Sequence, residues 1–415
     1  MSAAVLSIGT ELTRGELVNT NATWLAERLT EAGFEVTEHL VIDDDEARIV
    51  SALGALGARH RVVVSTGGLG PTTDDLTSAA VARALGVPLE RHQASLDAIR
   101  RRFASFGREM SPTNEKQADF PRGATVLPNP VGTAPGFAVD LAGGARAFFL
   151  PGVPSEMRRL YEDHIAREIA PLAPRTMHQI RLRSFGLPES VVGEKLAGLE
   201  AEHPGVVLGY RAHFPEIEVK VRAIAATHAA AAEALATQVA AKVKERLGDV
   251  IWGEGDDSYA AYVGRTLRDR GLTLALAESC TGGLVGQLVT AVPGSSDYLL
   301  LDAVTYSNTA KTRVLGVQEE LMRAYGAVSR EVVIAMAEGA LRISDADLAV
   351  SITGIAGPGG GTDAKPVGTV WMAIAQRGRE TVSHHHQLRG DRERIRVLAA
   401  WLALQLVARA AGDRG

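Results

Sequence analysis

The sequence predicts an α/β protein, with two three-layer domains of mainly parallel sheet joined by a small α+β unit. Two observations carry the outer domains. Short apolar runs alternate with amphipathic helical stretches at both ends of the chain, and each run stops at a turn rich in Gly, Ser and Thr. A third carries the middle: over 176–252 strands follow one another and the pattern becomes strictly alternating.

The chain opens with a strand at 3–8 (AAVLSI), ended by Gly9, Thr10 and Glu11. A helix follows, with Thr20 or Asn21 as N-cap and Trp24, Leu25 and Leu29 on its inner face, and Gly33 closes it. The pattern repeats through FEVTEHLVI, a helix over 44–57, and a third strand at Val62–Val64. That strand runs into Ser65, Thr66, Gly67, Gly68, Leu69, Gly70, Pro71, Thr72, Thr73, Asp74 and Asp75. A glycine-rich loop beyond the carboxyl end of a buried strand is where such sheets bind ligands. Its N–H groups can cradle phosphate, and adjacent carboxylates can hold a divalent metal bridging to it. Asp74 and Asp75 also read as an Asx cap and a solvated carboxylate, and both readings stand.

APLAPR (170–175) reads as a linker. Beyond it come a strand (MHQIRLRSF), a helix over 188–199, the strands GVVLGYRA and EIEVKVRAIA, an Ala-rich helix over 228–247 and a short strand (DVIW). The alternation in EIEVKVRA predicts a half-exposed sheet. GEGDDS (253–258) is the second linker.

From Tyr259 a helix leads to the strand Leu272–Ala277, which stops at Glu278, Ser279, Cys280, Thr281, Gly282 and Gly283 before a helix from Leu284. A serine at such a strand end is exposed as a nucleophile would be, and equally as a helix cap. The next strand, from Leu299, ends at Tyr306, and Lys311 stands in the first turn of the helix after it. A serine hydroxyl needs a neighbour to take its proton, and a lysine with a depressed pKa can do so. Ser279, Lys311 and Tyr306 thus compose a serine–lysine hydrolase, with Lys311 otherwise an ordinary surface lysine. Cys280 is a rival nucleophile that lacks a histidine partner, or a small core residue.

Ser295 and Ser296, in Pro293–Ser296, either contact phosphate or stop the helix. A further buried strand ends at Thr353 and Gly354, where backbone groups can serve an oxyanion or a ribose phosphate. Lys365 offers a cation to an anionic substrate, and Arg392 a bidentate fork or simply a helix start. His384, His385 and His386 alternate across a strand, which argues against a metal there.

The chain has 415 residues, 46% hydrophobic and 22% charged, with a formal charge of −5. This excludes the basic footprint of a nucleic-acid binder. The single cysteine excludes an internal disulfide framework and matches a reducing, cytoplasmic setting. No apolar run reads as a membrane span and the start lacks a basic n-region, so no membrane association is expected.

AESCTGG, PGSS, VTYSNTAK, LGV, GAVS, TGIAGPGGG, KPVGTVW and GDR stand in order between 277 and 392. They resemble the C-terminal domain of the CinA (competence/damage-inducible protein A) family, over 255–415. The resemblance implies a deamidase that releases ammonia from nicotinamide mononucleotide without a cofactor. It implies Ser279 as nucleophile, Lys311 as base and Tyr306 as supporting donor, with Thr281, Gly282, Gly283, Ser295, Ser296, Thr353, Gly354 and Arg392 at the substrate.

STGGLGPTTDD, TNEKQADFPRGA, NPVGTAPGF and LPGVPSEM, between 65 and 157, resemble the molybdopterin-binding (MoaB/MogA-like) fold at the N-terminus of CinA, over 1–170. There the resemblance implies a metal-dependent ADP-ribose pyrophosphatase. Thr66, Gly67, Gly68, Gly70, Asn114, Lys116, Thr133, Gly136 and Glu156 would bind substrate, and Asp74 and Asp75 a divalent metal ion. Lys116 as a surface lysine and Glu156 as a first-turn carboxylate remain alternatives. Residues 176–252 resemble the KH-like middle domain of CinA, without the basic GXXG loop of RNA-binding KH domains. It is expected to act as spacer and dimerisation element in a homodimer. The other reading is a non-catalytic protein of competence or DNA damage that binds nucleotide or pterin ligands.

Overall fold

The computed structural model describes residues 2–173, 176–225 and 229–412. Two compact units emerge, one of 1–179 with 222–237 and one of 180–221 with 238–415. This division runs through the middle segment rather than around it.

The N-terminal segment holds β1 (Ser2–Ile8), β2 (Glu35–Ile42), β3 (Val62–Thr66), β4 (Leu89–Arg91), β5 (Asp119–Pro121), β6 (Thr125–Leu127), β7 (Gly136–Asp140) and β8 (Arg146–Leu150). Six of them form a sheet in the order β2-β1-β3-β8-β7-β6, while β4 and β5 make a separate ribbon. The pairs β1–β2, β1–β3 and β3–β8 are parallel, and β7–β8 and β6–β7 antiparallel. Val62, Val63 and Val64 are buried from both sides, as strands covered by helices on two faces require. Separate apolar clusters lie on the two faces, one around Leu6, Leu53, Val63 and Phe149, the other around Leu25, Leu29, Val64 and Leu160.

The first long helix runs Thr20–Glu31 and is capped by Asn19, whose side chain accepts from Ala22 N at 3.0 Å. A cap of this kind contributes about 1 kcal/mol. The expected caps, Thr20 and Asn21, are inside the helix, which frees Asn21 for the site below.

The middle sheet has β9 (Thr176–Phe185), β10 (Val206–His213), β11 (Glu216–Ala225) and β12 (Ile251–Glu254) in the order β10-β11-β9-β12. The expected half-exposed face is corrected here: Glu216, Glu218 and Lys220 are buried along with their apolar neighbours. Arg183 pairs with Glu216 and, at 3.5 Å, with Glu218, which also faces Lys220 Nζ at 3.3 Å. Alternation in sequence records polarity, and mutual pairing lets these charges be buried. The expected linker at 253–258 is also tied down, because Gly255 N donates to Arg181 O at 2.9 Å and Arg181 pairs with Asp256 at 2.7 Å. Of the linker at 170–175, positions 174 and 175 lie outside the described residues, as does position 228 of the expected Ala-rich helix, which is described over Ala229–Leu247.

The C-terminal sheet consists of β13 (Leu274–Glu278), β14 (Leu299–Val304), β15 (Leu348–Gly354), β16 (Thr369–Gln376) and β17 (Val382–Gln387), ordered β14-β13-β15-β16-β17. Its first three strands are parallel and the last two antiparallel. β13 is therefore flanked by β14 and β15, so the turn after it faces the ends of both. The helix Arg392–Gly412 is long and apolar enough by composition to cross a membrane, with a mean hydropathy of 1.4. Its Ile395, Ala399, Ala403, Leu404 and Val407 are buried in the core with Leu276, Val350 and Met372.

Candidate active site

Ser279 follows the last residue of β13, and Lys311 lies one turn into the helix Asn308–Leu315, which Ser307 caps. The parallel register sets Glu278 beside Val304, so this helix starts just past the nucleophile turn. Lys311 Nζ is 3.0 Å from Ser279 Oγ and donates to Thr305 O at 2.7 Å. Lys311 is only 1% exposed and Ser279 8%. Burial pushes the Lys311 pKa down to about 8, because an ammonium loses hydration there. The two side chains thus stand within direct proton-transfer distance, and the free base of Lys311 becomes populated as pH approaches 8. Cys280 is also buried, and its thiol is pushed up to about 12 by desolvation, which leaves it protonated and inert beside Ser279.

A cavity of about 220 Å³ opens over this pair, lined among others by Tyr306, Asn308, Ala327, Thr353 and Arg392. Tyr306 is 62% exposed, and its hydroxyl accepts from Arg392 Nη2 at 3.0 Å. Arg392 Nη1 donates to Gly357 O at 2.7 Å. The guanidinium thus stands at the cavity wall beside the tyrosine, held by one glycine carbonyl.

Several expected roles are corrected by what the groups already do. Gly282 N donates to Ser279 O at 3.1 Å and Gly283 N to Glu278 Oε2 at 2.9 Å, so neither N–H is available to an oxyanion. Both glycines instead supply the positive φ, 64° and 89°, that the turn needs. Thr281 is fully buried and its carbonyl is held by Arg396 Nη2 at 2.7 Å. Thr353 is buried, its hydroxyl spent on Ala327 O at 2.9 Å, while Gly354 lines the cavity. Lys365 donates to Tyr325 O and Val328 O at 2.6 and 2.7 Å, holding the loop whose Ala327 and Val328 wall the cavity rather than facing a substrate. Ser295 and Ser296 begin a short 3-10 turn and are not among the cavity's lining residues. His385 packs against the Trp371 ring at 4.7 Å. Glu278, Thr305, Asn308 and Arg396 were not singled out from sequence. Only AESCTGG carried a signal for one of them, since an acidic residue just before the nucleophile is unusual in an apolar strand.

A second cavity, of about 580 Å³, lies at the carboxyl ends of β1 and β3. Thr66, Gly67, Gly68, Gly70, Asp74, Asp75, Thr133 and Glu156 line it, as do Asn21, Asp44 and Gln117. Gly67 has φ 106°, and a Cβ there would meet Ile8 O at 2.0 Å, so the loop is built around its absence. The Thr66 hydroxyl donates to Pro151 O at 3.0 Å. Asp75 accepts from Thr72 N and Thr72 Oγ1 at 2.8 and 2.5 Å, which fixes the loop. Asp74 is exposed, and Thr72 and Lys116 hold its carboxyl below the usual range. Burial raises the Glu156 pKa against the opposing pull of Asn129, which donates to Glu156 Oε2 at 2.7 Å.

Three expected members are corrected. Asn114 is buried and donates to Gln117 Oε1 at 3.1 Å, so Gln117 and not Asn114 reaches the cavity. Gly136 lies within β7, where a Cβ would press on Phe149 O at 2.7 Å, a packing role. Lys116 is bonded to Thr72 O and steadies the loop. For a metal, the described residues contain no group of three or more His, Cys, Asp or Glu side chains close enough to bind one. Asp74 and Asp75 supply two carboxylates at most, the number Mg²⁺ takes when phosphate oxygens and water complete its shell. Asn21 was misread as a cap; its Nδ2 donates to Gly152 O at 2.7 Å, while its Oδ1 has no partner.

Three family models match in succession: a probable molybdopterin binding domain over 4–171, the damage-inducible protein CinA KH domain over 179–253, and the CinA C-terminal domain over 256–411. A CinA-like protein of Geobacter sulfurreducens is 47% identical over 414 residues, spanning 99% of both chains. One of Citrifermentans bemidjiense is 45% identical over 409 residues, 99% of this chain and 97% of the relative. Among solved structures, the competence/damage inducible protein CihA of Agrobacterium tumefaciens is 40% identical, covering 37% of this chain and 94% of its own, with a TM-score of 0.36. With near-complete coverage at such identity, this chain belongs to the family of CinA-like proteins.

Proposed function

We propose that the C-terminal domain is an amide hydrolase that converts nicotinamide mononucleotide to nicotinate mononucleotide and ammonia. The observation that carries this is the buried Lys311 Nζ at 3.0 Å from Ser279 Oγ. Neutral Lys311 takes the hydroxyl proton as Ser279 Oγ attacks the carboxamide carbon. The carbonyl oxygen becomes an oxyanion, and the N–H of Cys280, directly after the nucleophile and at the cavity wall, is the donor assigned to it. Lys311 returns the proton to the departing nitrogen, ammonia leaves, and an ester on Ser279 remains. Water then attacks that ester with Lys311 again as base, and the carboxylate product leaves with the serine hydroxyl restored. Arg392, with Tyr306 beside it, is the cation for the substrate phosphate. No step in this scheme calls on a metal or cofactor.

The test is ammonia release from nicotinamide mononucleotide in the presence of EDTA. Wild-type turnover is expected, with losses of at least about 10³-fold in Ser279→Ala and Lys311→Ala. Normal turnover by Ser279→Ala would remove the assignment.

A second activity, metal-dependent hydrolysis of ADP-ribose, is favoured by one observation: the larger cavity joins a glycine loop, exposed Asp74 and half-buried Glu156. A divalent ion there would be held by Asp74 and Asp75 and would neutralise the diphosphate. Glu156, its carboxyl raised by burial, suits the activation of water.

A further inference from the structure

The carboxylate of Glu278 is fully buried directly before the nucleophile, an expensive place for a charge. Its two oxygens are both used: Oε2 accepts from Gly283 N at 2.9 Å and Oε1 from Gly286 N at 2.8 Å. These are N–H groups at the start of the helix Leu284–Thr290, whose orphan donors would otherwise face the turn. The backbone of the same residue faces the other way. Glu278 O accepts from Thr305 N at 2.8 Å, and Thr305 O accepts from Lys311 Nζ at 2.7 Å. One residue therefore fixes both partners of the reacting pair: its side chain closes the turn that carries Ser279, and its carbonyl secures the segment that holds Lys311.

Resting on the amidase reading above, we infer that Glu278 is a positioning residue that aims Ser279 Oγ between Lys311 and the scissile carbon. It does so by pinning the nucleophile turn to the first turn of the following helix. The same bonds occupy the Gly283 and Gly286 donors, so neither is open to a carbonyl oxygen. Neighbouring Arg396 clamps the Thr281 carbonyl at 2.7 Å and keeps that peptide from turning over. Glu278 touches neither substrate nor Lys311 in this role, and acts through geometry alone.

In Glu278→Gln the side chain keeps the length but has one acceptor oxygen for two N–H donors, so one anchor is lost. Displacement of a nucleophile by about 1 Å costs about 10²-fold. The expected result is a fall of about 10- to 100-fold in kcat for nicotinamide mononucleotide with KM within about twofold, since Arg392 and Tyr306, which meet the substrate phosphate in this reading, are untouched. Phosphonylation of Ser279 by a fluorophosphonate is expected to slow by a similar factor, read by mass spectrometry, with Ser279→Ala as the unreactive control. If Glu278→Gln does not fold, Glu278→Asp is read instead; it keeps the charge but falls short of one N–H, and the same losses are expected. Unchanged kcat and unchanged phosphonylation in a folded variant would overturn the inference, as would a purely thermal loss of stability with both rates intact. Wild-type protein that phosphonylates at Ser279 yet releases no ammonia would sink the substrate reading alone. The Glu278 inference would then stand or fall on the phosphonylation rates.

Discussion

Lys311 is where burial becomes chemistry. A lysine at the ordinary value is almost wholly protonated at neutral pH, and as a cation it cannot take a proton from serine. With its pKa pushed down to about 8, roughly one molecule in ten carries the free base at pH 7. The active form grows as pH rises, so kcat/KM for the amide should climb about tenfold per unit below pH 8 and level off above it. A pH–rate profile flat from pH 6 to 9 would remove Lys311 as the base. Residue types at this site were legible in sequence, because hydroxyl, amine and phenol at strand ends form a recognisable set. Which backbone donors remain free was not, because Gly282 and Gly283 lose their N–H groups to partners that only the folded turn supplies.

At the scale of the element, the helix Leu284–Thr290 sits close against β14. A Cβ on Gly286 would come within 1.8 Å of Asp302 Oδ2. Asp302 is itself poorly hydrated, and burial, with Glu278 nearby, pushes its carboxyl up to about 7. Gly286→Ala should therefore cost stability despite alanine's better helix propensity, by about 1–3 kcal/mol for an overpacked contact. Urea titration checks this, and the double variant with Asp302→Ala should recover much of the loss. Equal losses in the single and double variants would place the strain elsewhere. Period and punctuation in the sequence located this helix and its strand, but nothing in them marks Gly286. The constraint comes from a side chain sixteen positions away, on the neighbouring strand, and no local pattern records it.

Over the whole molecule, the two cavities are built from separate residues in separate compact units. The proposed chemistries should therefore separate by mutation. Asp74→Asn is expected to lower Mg²⁺-dependent ADP-ribose hydrolysis at least about 10-fold while ammonia release stays within about twofold. Ser279→Ala should do the reverse. Parallel loss of both activities in either variant would show that the sites are coupled. The middle segment teaches a different lesson. EIEVKVRA alternates as a half-exposed strand would, but Arg183, from a strand distant in sequence, pairs with two of its charges, and residues 216–221 are all buried.

By itself the sequence determined the α/β class, the strand-to-helix turns and the residue types gathered at each of them. Those properties depend on periodicity, glycine and hydroxyl content, which act over a few neighbouring positions. Only the tertiary structure decided that Lys311 is buried against Ser279, that Gln117 and not Asn114 reaches the N-terminal cavity, and that Ser295 and Ser296 stay outside the C-terminal one. Each of these turns on strand order and on hydrogen bonds between segments far apart in the chain. Desolvation and donor occupancy arise where such segments meet, so they exist only once the chain has folded.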